Sequence, residues 1–251
     1  MTSATQAAVP AQPIFHTQIV ALNAARHGGL RLNRDAGFGF AAGVATVPIG
    51  IGEFETAAHS YPILFTDGPA PMPVVLLGFR TGWNLFVNDT GAWMPGAYVP
   101  ALVRAFPFVI IDNNVTGTQE FGFEADASCI SPSSGQPLFE NDQPAQVLRD
   151  ALAFCNACQT ELNASLAFGA ALERAQLLTP QSATIEPKGG AKVTIDGFRT
   201  IDRARLAALN DEVLLAWRSR DWLLPLHAHL FSAANWLPFT ELATRQLTAR
   251  K

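Results

Sequence analysis

The chain has 251 residues, 49% of them hydrophobic and only 15% charged, with 17 Phe, a formal net charge of -4 and a pI near 5.7. That composition can bury a large core and excludes a disordered chain. Lys and Arg are scattered, with no basic run that could track a phosphate backbone, so no nucleic-acid partner is expected.

Residues 1–13 are small, polar and proline-punctuated, and read as a disordered lead-in. MTSATQAAVPAQPIF has no Lys or Arg ahead of an apolar stretch, so no secretory signal is read there and the expected location is cytoplasmic. From Pro13 to about Ile130, Gly, Pro, Asn or Asp interrupts short runs rich in Ile, Val and Phe, which is the texture of β structure. The expected strands are IVAL (19–22), FGFAAG (38–43), YPILFT (61–66), PVVLLGF (73–79), NLFVN (84–88) and FVIID (108–112). The glycines of GFGFAAG equally suit a loop with close backbone approach. NDTG (88–91) offers a hairpin turn between the last two strands. No helices intervene, which favours antiparallel pairing. The densest apolar run, PMPVVLLGF (71–79), holds two prolines and is far shorter than the roughly 20 residues of a membrane helix, so no membrane span is expected.

Helical texture begins at Asp142 and runs to Leu178, with Val147, Leu148, Leu152 and Cys155 at helical spacing. Asp142 with Pro144 makes the expected N-terminal cap, and Gly169 the expected weak point. TPQSATIEPKGGAKVTIDGF reads as a short β segment with turns at Lys188-Gly189-Gly190 and Asp196-Gly197. Helices resume from about residue 202 to 240, broken near Asn210-Asp211 and at Pro225, with 241–251 as a tail. The expected fold class is therefore α+β: a largely antiparallel sheet in the N-terminal half, a helical C-terminal half, and one domain over 14–240.

Few motifs carry chemistry. GxSxG, the P-loop and GxGxxG are missing, so no cofactor is expected. Three cysteines, Cys129, Cys155 and Cys158, do not suggest a disulfide framework. The CNAC pair lies mid-helix, away from the helix-end field that activates thiols, and reads as two packed thiols. His227 and His229 are two apart and would point to different faces of a helix, so no metal site is expected. Glu53, Glu55 and His59 lie together before a strand and are the acid-base candidates.

WMPGAYVPALVRAFPF (93–108) is the densest feature. Pro100 suits the first turn of a short helix, AYVPALVRAF, whose buried stripe would be Val99, Leu102, Val103 and Phe106. Pro107 should end that helix and send the chain into FVIID. Arg104 falls off the stripe. In one reading it pairs with a carboxylate such as Asp112 or caps a carbonyl; in the other, Arg104, Trp93 and Tyr98 line a ligand site with Asn84 from NLFVN.

The ordered segments HSYPILFT, PVVLLGFRTGWNLFV, YVPALVRAFPF and GQPLFENDQ, followed by DGFRTIDRARLAALNDEVLLAW and HAHLFSAANW, resemble the bacterial SapC family over about residues 14–240. Two departures stand out. RAFPF replaces the family's RRYPF, removing a paired arginine and a tyrosine hydroxyl, and SCISPSSGQPLF lacks the acidic residue often found after Cys-Ile. The resemblance implies association with surface-layer systems, and proximity to outer-membrane uptake receptors and flavin-dependent halogenases. It supplies no catalytic residues.

Three functions follow as expectations. The first is a non-enzymatic binding or accessory protein of a surface-layer, uptake or peptide-related system, engaging a peptide, small ligand or protein partner; cell-surface association comes from the resemblance alone. The second is a tailoring enzyme acting beside halogenases on a peptide or aromatic substrate, with His59 or Glu53/Glu55 in a deep pocket. The third is an oligomerisation module without a ligand site.

Overall fold

The computed structural model describes residues 14–113, 118–186 and 192–249, with the backbone alone at residues 112, 113, 118 and 249. The expected lead-in and the Lys188-Gly189-Gly190 turn lie outside the described residues. The strands are β1 (Ile19–Ala21), β2 (Arg31–Leu32), β3 (Thr46–Pro48), β4 (Ile63–Thr66), β5 (Pro73–Leu76), β6 (Phe108–Asn113), β7 (Thr118–Glu124), β8 (Ile130–Ser131), β9 (Gln136–Pro137), β10 (Phe139–Glu140), β11 (Gln143–Pro144), β12 (Leu178–Ile185) and β13 (Val193–Ile201). The helices are α1 (Ala24–His27), α2 (Phe54–Ala57), α3 (Ala101–Ala105), α4 (Gln146–Arg174), α5 (Arg203–Ala207), α6 (Asp211–Arg218), α7 (Leu223–Ser232) and α8 (Trp236–Ala249).

The fold is α+β. A five-stranded sheet of order β12-β13-β4-β5-β3 is joined by two three-stranded sheets, β1-β7-β6 and β8-β2-β9, and by the β10-β11 hairpin. Every pairing is antiparallel. The β12-β13 hairpin arises after α4, so the C-terminal half returns two strands to the sheet begun in the N-terminal half. No helix among the described residues is long and apolar enough to cross a membrane.

The core has two parts, and α4 belongs to both. Its C-terminal half puts Phe168 and Leu172 among Phe54, Tyr61, Phe65 and Leu77 of the larger cluster. Its N-terminal half puts Leu148, Ala151 and Cys155 among Leu32, Phe108, Phe123 and Leu138 of the smaller one. At 29 residues, α4 extends roughly 44 Å, enough to link both clusters. Gly169 does not break it. A Cβ there would sit 1.9 Å from the Pro71 carbonyl oxygen, so glycine is what lets this helix lie against the chain entering β5.

Several local expectations are corrected. FGFAAG is not a strand: Gly39–Ala41 forms a single 3-10 turn, and Phe38 N–H donates to the Gly91 carbonyl at 2.7 Å. Gly37, at φ 74°, makes that approach feasible, because a Cβ would meet the Gly91 oxygen at 2.9 Å. NLFVN contributes only an isolated bridge, Val87 with Trp93. The NDTG turn closes that bridge instead of linking to β6, with Asn88 Oδ1 accepting from the N–H groups of Thr90 and Ala92.

Asp142 does not cap α4. Asn141 and Asp142 both have positive φ, 49° and 60°, and form the two-residue connection between β10 and β11, the geometry these short polar residues tolerate best. The N-cap is Ala145. Asp196-Gly197 is no turn either. It lies inside β13, where the register with β12 shifts between Gln181 and Ala183 and Gly197 takes φ 72°, a bulge. Pro225 sits in the first turn of α7, where a missing N–H costs nothing; the break falls before it, at Asp221 with φ 56°. Past residue 240, α8 continues and buries Ala243 completely.

One junction fixes α7 to the sheet. Continuing the β4-β13 register, Phe198 with Thr66 and Arg199 with Phe65, would set Ile201 opposite Ile63. Instead Ile201 N–H donates to His229 Nε2 at 3.1 Å and Ile63 N–H to Ser232 Oγ at 3.0 Å. Two α7 side chains thus satisfy backbone donors where the ladder ends. Burial pushes the His229 imidazole down to about 4, so it is neutral at pH 7.

Gly169→Ala should lower unfolding free energy by about 2 kcal/mol in urea titrations, the cost of overpacking against backbone that cannot yield. For His229, the unfolded state binds a proton that the folded state refuses. Stability should be complete above about pH 6.5 and fall by roughly 3 kcal/mol as pH drops towards 4, and His229→Gln should flatten that slope.

Candidate functional site

The strip from Trp93 to Phe108 folds as a connector between the isolated bridge and β6, and its helix is shorter than its pattern suggests. Pro100 is the N-cap and α3 spans Ala101–Ala105, so Tyr98 and Val99 lie before it, outside any helix or strand. Val103 and Ala105 are buried, while Val99, Leu102 and Phe106 are half-buried against the core. Phe106 stacks on Phe40 with centroids 3.8 Å apart. α3 ends at Ala105, and β6 begins one residue after Pro107.

A carboxylate organises the strip. Glu53 Oε1 accepts the Gly50 N–H at 2.8 Å, and Oε2 accepts the Ala101 N–H at 2.7 Å and the Tyr98 hydroxyl at 2.9 Å. The Tyr98 oxygen in turn accepts from Arg104 Nη2 at 3.1 Å. Arg104 can only donate, so the phenol must give its proton to Glu53, and each bond polarises the next. Arg104 Nε caps the Val99 carbonyl at 3.1 Å, and the guanidinium carbon lies 5.0 Å from the Phe154 ring centroid and 5.7 Å from that of Tyr98. The Asp112 side chain lies outside the described residues. Among those that are described, no carboxylate comes within ion-pairing distance of Arg104.

Behind this surface runs a buried relay. Trp93 Nε1 donates to the Tyr61 hydroxyl at 3.1 Å, and that hydroxyl donates to the Tyr98 carbonyl oxygen. Ser60 Oγ accepts the Tyr98 N–H at 3.1 Å. The Tyr98 backbone is therefore held at both of its polar groups. Burial, reinforced by the Glu53 charge, raises the Tyr98 phenol to about 12, and burial drives Tyr61 higher still.

The structure brings Glu53, Tyr98 and Arg104 into one network and sets Trp93 beneath it. Asn84 lies elsewhere. It is buried, with Nδ2 donating to the Ala41 carbonyl at 3.0 Å and Oδ1 accepting the Phe86 N–H at 2.9 Å. It borders a cavity of about 260 Å³ formed with Trp83, Asn88 and Gln246. Glu55 and His59 are exposed, and neither this cavity nor a larger one beside β13 is lined by Glu53, Glu55 or His59. Cys155 and Cys158 are free and buried mid-helix, their thiols raised by desolvation to about 12 and 11. Cys158 feels opposing charges from Glu53 and Arg104, which places α4 against the same network.

Sequence reasoning missed Tyr61, Ser60 and Phe154. Tyr61 reads as an ordinary strand aromatic, and the half-buried Phe154 sits on α4 with no spacing signal tying it to residue 104.

A family model matches residues 22–238. The chain belongs to the SapC family. The SapC match includes the strip, α4 and the β12-β13 hairpin, so the network just described lies within the matched residues. No curated protein and no solved structure matches the chain.

The chain has only two tyrosines. Ultraviolet titration of the folded protein should therefore show no tyrosinate below about pH 11, while the urea-unfolded chain titrates near 10. Because the neutral phenols are favoured by folding, their contribution is complete below pH 10 and is lost as pH rises through about 12.

Proposed function

We propose that this SapC-family protein is a non-enzymatic binding or accessory component of a surface-layer, uptake or peptide-related system, and that Arg104 and Tyr98 contact its ligand. The observation that carries this reading is the state of Arg104. It is an exposed cation with its Nε and one terminal nitrogen fixed in place, flanked by two rings and without a carboxylate partner among the described residues. A guanidinium so held loses little entropy on meeting an anion, and its remaining donors suit a carboxylate. Trp93 acts indirectly in this proposal, through Tyr61, by setting the Tyr98 backbone.

A tailoring enzyme would need an acid-base group in an enclosed pocket. Glu55 and His59 stand on the surface, and the Glu53 carboxylate already accepts three hydrogen bonds within the protein, so geometry favours binding over catalysis.

Calorimetry with short peptides bearing free or amidated C-termini tests the site. The free-carboxylate peptides should bind, amidation should weaken them about tenfold, and Arg104→Ala should do the same in a protein that remains folded by circular dichroism. Unaltered binding by a folded Arg104→Ala protein would remove the assignment.

A further inference from the structure

The larger cavity, about 640 Å³, lies away from the Arg104 network and within the usual range of small-ligand pockets. One wall is a face of the sheet: Thr179 pairs with Thr200 and Gln181 with Phe198 across β12 and β13, so these four side chains share a face. The opposite wall is the corner between α7 and α8, with His229, Leu230, Trp236 and Thr240. Phe198 and Trp236 bring their rings to 5.7 Å, tilted by 33°, and so give the space a flat apolar side.

Its polar groups are incompletely used. Gln181 and Ser182 are exposed and Thr200 is half-buried, so their polar groups stand open along the cavity. His229 Nε2 accepts from Ile201, so the neutral ring carries its proton on Nδ1; the Ile63 backbone is the ring's other polar neighbour but leaves that buried N–H without a well-formed hydrogen bond. That donor belongs to a ring only 5% exposed that lines the cavity, where buried donors are normally met.

The charges decide the class. Asp202 caps α5, accepting from the N–H groups of Ala204 and Arg205 at 2.8 and 3.1 Å, and its second oxygen lies 3.6 Å from Arg205 Nε. Arg203, the other charged residue lining the cavity, reaches only the Leu230 carbonyl at 3.4 Å and has no carboxylate partner among the described residues. The cavity thus joins a cation without a carboxylate partner among the described residues, open hydroxyl and amide groups, and an aromatic wall.

We infer that this cavity binds a small aromatic carboxylate, its anion on Arg203 and its ring against Trp236 and Phe198. This site is separate from Arg104 and does not depend on the peptide reading given above. The probes are indole-3-acetate and its neutral amide, titrated calorimetrically into the full chain. Indole-3-acetate should bind one to one and saturably, the amide about tenfold more weakly, and Arg203→Gln, a change at an exposed side chain, should weaken the acid by a similar factor. Arg104→Ala should leave this binding unchanged. Absence of saturable binding, equal affinity for acid and amide, or full affinity in Arg203→Gln would each overturn the inference, as would loss of binding in Arg104→Ala alone.

Discussion

Glu53 joins two segments that Ser60 and Tyr61 also tie together, and it alone serves donors from both with one charged group. Its carboxylate closes the turn at Gly50, receives the first backbone N–H of α3 and accepts the Tyr98 hydroxyl hydrogen bond, so the chain before α2 and the strip some 50 residues later share one acceptor. A neutral side chain could not serve all three donors as well. The position of Tyr98 then sets Arg104, since the hydroxyl that gives its proton to Glu53 has a lone pair left for the guanidinium. The exposed cation is thus placed by a half-buried anion, with a phenol between them that keeps the two charges apart. Were they in direct contact, the pair would be neutralised and the surface would offer a ligand little.

Much of this was readable in the sequence as residue types, and little of it as geometry. The short β-branched runs gave β1, β4, β5 and β6, and the helical spacing gave α4, because burial patterns are local properties. The failures share a cause. Asp142 suits a helix cap and Asp196-Gly197 a turn, but Asp142 serves a hairpin and Asp196-Gly197 a bulge, and the same polar residues and glycine fit either use. Gly169 looked like a weakness in a helix because the sequence does not show Pro71 arriving against it. For the site, the arginine and aromatics were visible, but Glu53 was assigned to acid-base chemistry. Its role as a backbone acceptor depends on α3 lying beside it, a contact made across 48 residues.

The two arginines proposed as ligand contacts are positioned by opposite means. Arg104 is fixed through its own head group, by a carbonyl, a phenol and two rings, while its backbone belongs to a five-residue helix. Arg203 has a nearly unengaged head group, and its backbone is fixed by the Asp202 cap and the end of β13. A pre-set guanidinium selects for anion geometry, whereas a mobile one on a rigid stem tolerates variation and leaves shape selection to the cavity walls.

Those walls depend on α7. If His229 and Ser232 did not accept the N–H groups of Ile201 and Ile63, two buried donors would lack partners where β4 and β13 separate, and the sheet would gain by zipping further. The side chains that end the ladder, His229 and Ser232, also line the cavity. Protonation of His229 opposes that arrangement, because an imidazolium Nε2 can no longer accept from Ile201. A wall of the cavity and the acid stability of the fold consequently share the same ring.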